Sequence, residues 1–147
     1  MQGMIAILED DPGRIAVMAE CLSALGVGGR ARWFTAAPTM IDWLAGRMGE
    51  LALVSLDHDL MMLPRPDGVL LDPGDGREVA NFLAARQGVC PVIVHSSNEL
   101  RASEMAATLR AAGWQVTRVF PRLGPDWIET QWIAQIRALL SLPAGRT

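Results

Sequence analysis

Five times along this chain a short, almost uninterrupted apolar run gives way to a stretch with helical spacing, and that alternation leaves few folds open. The runs are Met4–Leu8, Arg32–Phe34, Leu51–Leu56, Pro91–Val94 and Gln115–Phe120. The first helix opens with Asp11 as a cap and Pro12 at its first position. It carries Ile15, Met18, Ala19, Leu22 and Leu25 at helical spacing and stops at Gly26. Ala37–Met48 follows with Met40, Ile41, Leu44 and Met48 inward, then Gly76–Arg86 with Val79, Phe82 and Leu83, then Glu99–Ala112 with Leu100, Met105 and Leu109. Pro125 and Asp126 open a last helix striped by Ile128, Trp132, Ile136, Leu139 and Leu140. Between the third run and the third helix, Met61–Asp75 reads as a long irregular segment with three prolines.

Strands without polar alternation are covered on both faces, which means a parallel sheet with right-handed helical crossovers. Five units in 147 residues predict one domain, residues 1–147. The expected fold is the flavodoxin-like (βα)5 doubly wound parallel sheet, order 2-1-3-4-5, rather than an eight-unit barrel. No apolar stretch approaches the roughly 20 residues of a membrane span, and the N-terminus has no basic leader. A cytoplasmic protein with no membrane contact is therefore expected. Cys21 and Cys90 are too few for a disulfide framework or a thiolate zinc site. A net charge of −3 gives no ground for nonspecific nucleic-acid binding. All 13 Lys-plus-Arg positions are arginine, so Schiff-base and P-loop lysine chemistry is excluded.

In such a sheet ligands bind beyond the carboxyl ends of the strands, at the switch between the first and third. The first run ends in Glu9, Asp10 and Asp11, the third in Asp57, His58 and Asp59, and the fourth in His95, Ser96, Ser97 and Asn98. Both histidines of the chain thus fall at one edge with five carboxylates. One acidic residue would suffice to cap the first helix. Three adjacent ones repel, and hard oxygen donors of this kind suit a divalent cation. Strand alternation would put Asp57 and Asp59 on one side and His58 on the other, provided the strand runs that far. Ser96 and Asn98 stand at the start of the fourth helix, where backbone N–H groups favour an anion, though capping alone explains them equally well. A histidine beside a metal and an anion suits acid–base work near neutral pH. Trp43 and Trp132 fit packing positions, and no aromatic platform is evident.

These residues resemble the receiver domains of two-component signalling. Glu9-Asp10 looks like the receiver's metal-binding pair, Asp57 like its phosphoacceptor, Asp75-Gly76 like the start of its third helix, and Ser96 like its hydroxyl residue. The receiver's lysine before a proline is here Phe120-Pro121, and the segment before the third helix is longer than the receiver's. Asp57-His58-Asp59-Leu60, together with His95-Ser96-x-Asn98 and Met105, is similar to the cyclic-phosphate-processing receiver-like family. Arg101 stands where that family's pattern has glycine.

The resemblance implies a metal-dependent phosphoesterase acting on a cyclic phosphate, of a nucleotide or an RNA end. Glu9, Asp10 and Asp57 would hold Mg²⁺ or Mn²⁺. His95 would serve as acid or base, with His58, Asp57 and Asp59 completing the catalytic group, and Ser96, Asn98, Arg101 and Arg14 would bind phosphate; Arg122 is a further candidate. The partner would be a small phosphorylated substrate. The alternative is a receiver or pseudo-receiver whose partner is a separate signalling protein, a role for which the missing lysine is a handicap that arginine does not repair. A nucleotide-binding Rossmann domain is a weak third reading, because acids stand where a glycine-rich turn would be and would repel a pyrophosphate unless a metal intervened.

Overall fold

The computed structural model describes residues 2–143. Strands β1 (Met4–Leu8), β2 (Ala31–Phe34), β3 (Leu51–Leu56), β6 (Val92–Val94) and β7 (Val116–Arg118) form one parallel sheet, and β4 (Leu63–Pro64) and β5 (Leu70–Leu71) form a separate antiparallel pair. The main sheet runs β2-β1-β3-β6-β7, which is order 2-1-3-4-5 once the small pair is set aside. The helices are α1 (Pro12–Ala24), α2 (Ala37–Ala45), α3 (Gly76–Ala84), α4 (Glu99–Ala111) and α5 (Ile133–Leu139). None of them is long and apolar enough to cross a membrane.

The continuous apolar runs are explained by two cores. Successive strand residues point to opposite faces, so Ala6, Leu8, Val54, Leu56, Val92 and Val94 pack under α2, α3 and α4. Ile5, Ile7, Leu53 and Ile93 pack against Met18 and Leu22 of α1 and against Trp127, Trp132 and Ile136. Each such fully buried aliphatic side chain contributes about 1.5–3 kcal/mol. The start of α1 is capped as its sequence indicates: Asp11 Oδ1 accepts from the Gly13 and Arg14 N–H groups at 2.8 and 3.1 Å.

Four local expectations are corrected. Helix α2 ends at Ala45, because Gly46 breaks it and Met48 enters a 3₁₀ turn, Met48–Glu50. β7 is shorter than 115–120, and Leu100 points to solvent on α4 with 65% of its surface exposed. The supposedly irregular segment holds the β4–β5 hairpin. Its turn has Gly68 N–H bonded to Arg65 O at 3.0 Å, Arg65 N–H to Val69 O at 3.1 Å, and Gly68 at φ +83°. Pro66-Asp67-Gly68 is the signal for that turn. Ahead of α5, Ile128–Trp132 forms a π-helical turn. Its wider turn brings Trp127 and Trp132, five residues apart, onto the same apolar face, whereas α-helical spacing would separate them.

Helix α3 docks unusually close to the tip of β3. Gly76 N–H donates to His58 O at 2.9 Å, and a Cβ on Gly76 would collide with the Asp57 carbonyl oxygen and sit 2.9 Å from His58 Cα. The obstacles are backbone atoms, so relief requires moving the helix. Gly76→Ala is expected to cost about 3 kcal/mol or more in urea unfolding, the upper end for overpacking. A loss under about 1 kcal/mol would show that α3 is free to slide.

Candidate functional site

Parallel register builds the site. Leu8 pairs with Leu56, and Leu56 with Val94. The next residues, Glu9, Asp57 and His95, therefore stand in a row across three adjacent strand tips, held by Asp57 N–H to Leu8 O at 3.0 Å and His95 N–H to Leu56 O at 2.9 Å. By alternation all three belong to the α1–α5 face. There Glu9 and His95 are fully buried and Asp57 nearly so, and each offers a ligand atom within 4.8 Å of the others.

Two buried carboxylates this close need compensation, and Arg14 of α1 supplies part of it. One of its nitrogens lies 3.6 Å from Glu9 Oε1 and 3.7 Å from Asp57 Oδ2, while the guanidinium rests 5.2 Å from the centre of the Trp127 ring. His95 Nε2 lies 3.2 Å from Glu9 Oε1. That approach lacks hydrogen-bond geometry, and neither atom has a hydrogen-bond partner among the described residues. Glu9 Oε2 is satisfied by the Asp10 and Asp11 N–H groups at 3.0 and 3.1 Å. Burial pushes the Glu9 carboxyl up, but His95, the Asp11 N–H and Arg14 together outweigh it and hold it below the usual glutamate range. For Asp57 burial wins: with Glu9 adding to it, and despite His95, the His58 N–H and Arg14, the carboxyl is pushed up to about 6.

His95 is aimed by residues the sequence reading missed. Its Nδ1 is 2.7 Å from Ser55 Oγ, which also accepts from Trp132 Nε1 at 2.9 Å. Ser55 is the lone polar residue within the apolar run Leu51–Leu56 and points to the α1–α5 face. A buried serine in a central parallel strand is a signal that something polar must be met there.

A second group forms on the opposite face. His58 Nδ1 is 2.6 Å from Asp59 Oδ1, its Nε2 is 3.6 Å from Asp75 Oδ2, and Asn98 Nδ2 donates to Asp59 at 3.3 and 3.4 Å. The close packing of Gly76 is what brings Asp75 here. Asp59 thus stands with His58 and not beside Asp57, because β3 ends at Leu56 and alternation stops with it. Asp10 is drawn away from the carboxylate pair, its side chain accepting the Met61 N–H of the hairpin segment. Burial, partly offset by that bond, raises its pKa. Asn98 Oδ1 accepts the Arg101 N–H at 3.2 Å and caps α4, while Ser96 Oγ accepts the Asn98 N–H at 3.1 Å and holds that capping residue in place. Arg101 itself turns to Glu104 at 2.9 Å. Of the expected site residues, Glu9, Asp57, His95 and Arg14 come together, His58, Asp59 and Asn98 form the neighbouring group, and Asp10 and Arg101 join neither. Phe120 is half exposed beneath the guanidinium of Arg118, which turns to Glu99 and Ser103. Burial holds the Cys90 thiol at about 12, which rules it out as a nucleophile.

The raised Asp57 pKa carries a sign. The unfolded chain releases this proton around the ordinary 3.8 and the folded chain only near 6, so the cost of burying the charge is absent at low pH and complete above about 6. Asp57→Asn is therefore expected to gain about 2–3 kcal/mol of stability near pH 7 and almost none near pH 4. Thermal unfolding across that range checks this; a variant less stable than the parent near pH 7 would contradict it.

A family model for the cyclic-phosphate processing receiver domain matches residues 6–111. No curated protein sequence matches the chain. Among solved structures it is similar to a response regulator receiver domain from Rhodospirillum rubrum, at 18% identity and TM-score 0.67 over 98% of this chain and 99% of that one. It is also similar to the phosphorylated cyanobacterial phytochrome response regulator RcpA, at 18% identity and TM-score 0.70 over 98% and 100%. The Mn²⁺-bound form of response regulator Rcp1 matches at 15% identity and TM-score 0.62 over 97% and 99%. Those likenesses establish the receiver fold; the family match over residues 6–111 shows that the chain belongs to the cyclic-phosphate processing receiver domains.

Proposed function

We propose that this domain is a divalent-metal-dependent phosphoesterase that opens a cyclic phosphate, with the metal held by Glu9, Asp57 and His95. The observation that carries this reading is the row of three buried donors, two of whose facing atoms, Glu9 Oε1 and His95 Nε2, have no hydrogen-bond partner among the described residues. Unpaired buried polar atoms are uncommon and call for an explanation, and a bound ion facing two such atoms in one row of donors is one. A set of two carboxylates and one imidazole favours Mn²⁺ over Mg²⁺, which prefers oxygen and water. The receiver-fold regulator solved with Mn²⁺ supports the same choice. Ser55 Oγ accepting from Nδ1–H would leave the His95 Nε2 lone pair to the metal, the usual outer-shell arrangement.

A bound cation would supply polarisation of a phosphoryl oxygen and a water of lowered pKa. The rest falls to the chain. Hydrolysis adds the water oxygen to phosphorus, breaks one ring P–O bond, and delivers a proton to the departing alkoxide. His95 has its Nδ1 taken by Ser55 and its Nε2 among the proposed metal donors, whereas the Nε2 of His58 has no hydrogen-bond partner among the described residues and no metal role, so His58 is the better acid–base group. Asp59 fixes its Nδ1, and its Nε2 stops 3.6 Å from Asp75, beyond hydrogen-bond length. Asn98 holds Asp59 in place. The acid–base role thus passes from His95 to His58, and the metal set becomes Glu9, Asp57 and His95 in place of Glu9, Asp10 and Asp57.

The test follows a panel of 2′,3′-cyclic mononucleotides by phosphorus NMR with Mn²⁺ or with chelator. Ring opening to a monoester is expected only with metal, and His58→Gln should slow it by about 10²-fold or more while leaving Mn²⁺ affinity within about twofold. His95→Gln should instead weaken Mn²⁺ binding by calorimetry. No hydrolysis across the panel would overturn the esterase. A phosphoryl adduct from a small phosphodonor, lost in Asp57→Asn, would support the signalling receiver in its place.

A further inference from the structure

On the α1–α5 side, a groove of about 360 Å³ opens between the first turns of α1 and the loop entering the π-helical turn. Its volume lies at the low end of small-molecule sites, roughly 300–1,000 Å³, which suits one nucleotide-sized ligand and not a polymer. Two arginines line it, Arg14 from α1 and Arg122 from the loop, with Val17, Leu123 and Pro125 as an apolar wall. Asp11 also lines it, but its Oδ1 is already taken by the Gly13 and Arg14 N–H groups. Arg14's contacts to Glu9 and Asp57, at 3.6 and 3.7 Å, are longer than hydrogen bonds, and its guanidinium makes none among the described residues. Arg122 is exposed and has neither an ion pair nor a hydrogen bond among them.

We propose that this groove binds a small organic phosphate monoester, with Arg14 and Arg122 gripping the phosphate and the apolar wall covering the organic part. Guanidinium groups match phosphate oxygens in fork geometry; Arg122 offers its charge to the groove with no competing partner among the described residues, and Arg14 divides its charge between the groove and the carboxylates of Glu9 and Asp57. The apolar wall distinguishes an ester from the free anion, since only the ester has a body to bury there. This site adjoins the metal-ligand row, with which it shares Arg14, but it needs no metal and does not depend on the hydrolysis reading, although a ring-opened product would belong to the same ligand class.

Adenosine monophosphate, inorganic phosphate and adenosine are titrated calorimetrically into the full chain with chelator present, so that the outcome is independent of the metal. Adenosine monophosphate should bind at least about tenfold more tightly than inorganic phosphate, and adenosine should not bind measurably. Arg122→Gln should weaken adenosine monophosphate about tenfold or more with an unchanged melting temperature, since that side chain has no fold partner. Arg14→Gln should weaken it similarly. Absence of binding, or binding indifferent to Arg122→Gln, overturns the site. Equal affinity for inorganic phosphate and the monoester overturns the assignment to an ester.

Discussion

Two carboxylates, Glu9 and Asp57, are buried next to each other at the tips of adjacent central strands, and most of what surrounds them answers that one electrostatic problem. Desolvation and mutual repulsion would drive both toward the neutral form. Arg14 stands off at 3.6–3.7 Å from both, too far to hydrogen-bond and near enough to stabilise charge. His95 approaches Glu9 from the other strand and is itself braced by Ser55 and Trp132. The balance is unequal. The partners hold the Glu9 carboxyl below its usual range, whereas burial pushes that of Asp57 up to about 6, so its charge at neutral pH carries the full cost of burial. A divalent cation would resolve what the chain leaves unresolved.

The sheet divides the chemistry between its faces. Backbone alternation sends Glu9, Asp57 and His95 toward α1 and α5, and sends His58 the other way, toward the start of α3. The second group exists because α3 presses its glycine onto the β3 tip, carrying Asp75 to within 3.6 Å of His58. A charge-dense row thus lies on one side of the sheet and a braced histidine on the other, and the two meet at one sheet edge. The cation beside the two carboxylates comes from α1, as Arg14, and Phe120 stands at the end of the fifth strand.

Much of this was legible in the residues. Uninterrupted apolar strands and capped helices led to the right topology, because burial on both faces leaves no other sheet. The strand-tip clusters indicated which acids and histidines share the carboxyl edge, and the structure brings Glu9, Asp57 and His95 together there. The errors cluster where local patterns end. Asp59 was paired with Asp57 because alternation was extended three residues past the strand, and Asp10 was grouped with Glu9 although neighbours in an extended chain point apart. Arg101 was assigned to phosphate while Glu104, one helical turn on, claims it. Ser55 was passed over as part of an apolar run, and the hairpin was read as loop although Pro66-Asp67-Gly68 spells its turn.

What the sequence by itself determined is the set of elements, their order in the sheet and the edge where acids and histidines collect, because hydrophobic periodicity and chain connectivity are local properties. Which of those groups touch was decided only by the tertiary structure. The register of β1, β3 and β6 sets Glu9, Asp57 and His95 in one row, and the packing of α1 and α3 brings Arg14 and Asp75 to opposite sides of it. Distances between residues tens of positions apart follow from strand register and helix docking, which depend on the summed packing of the whole core and not on any neighbourhood of the chain.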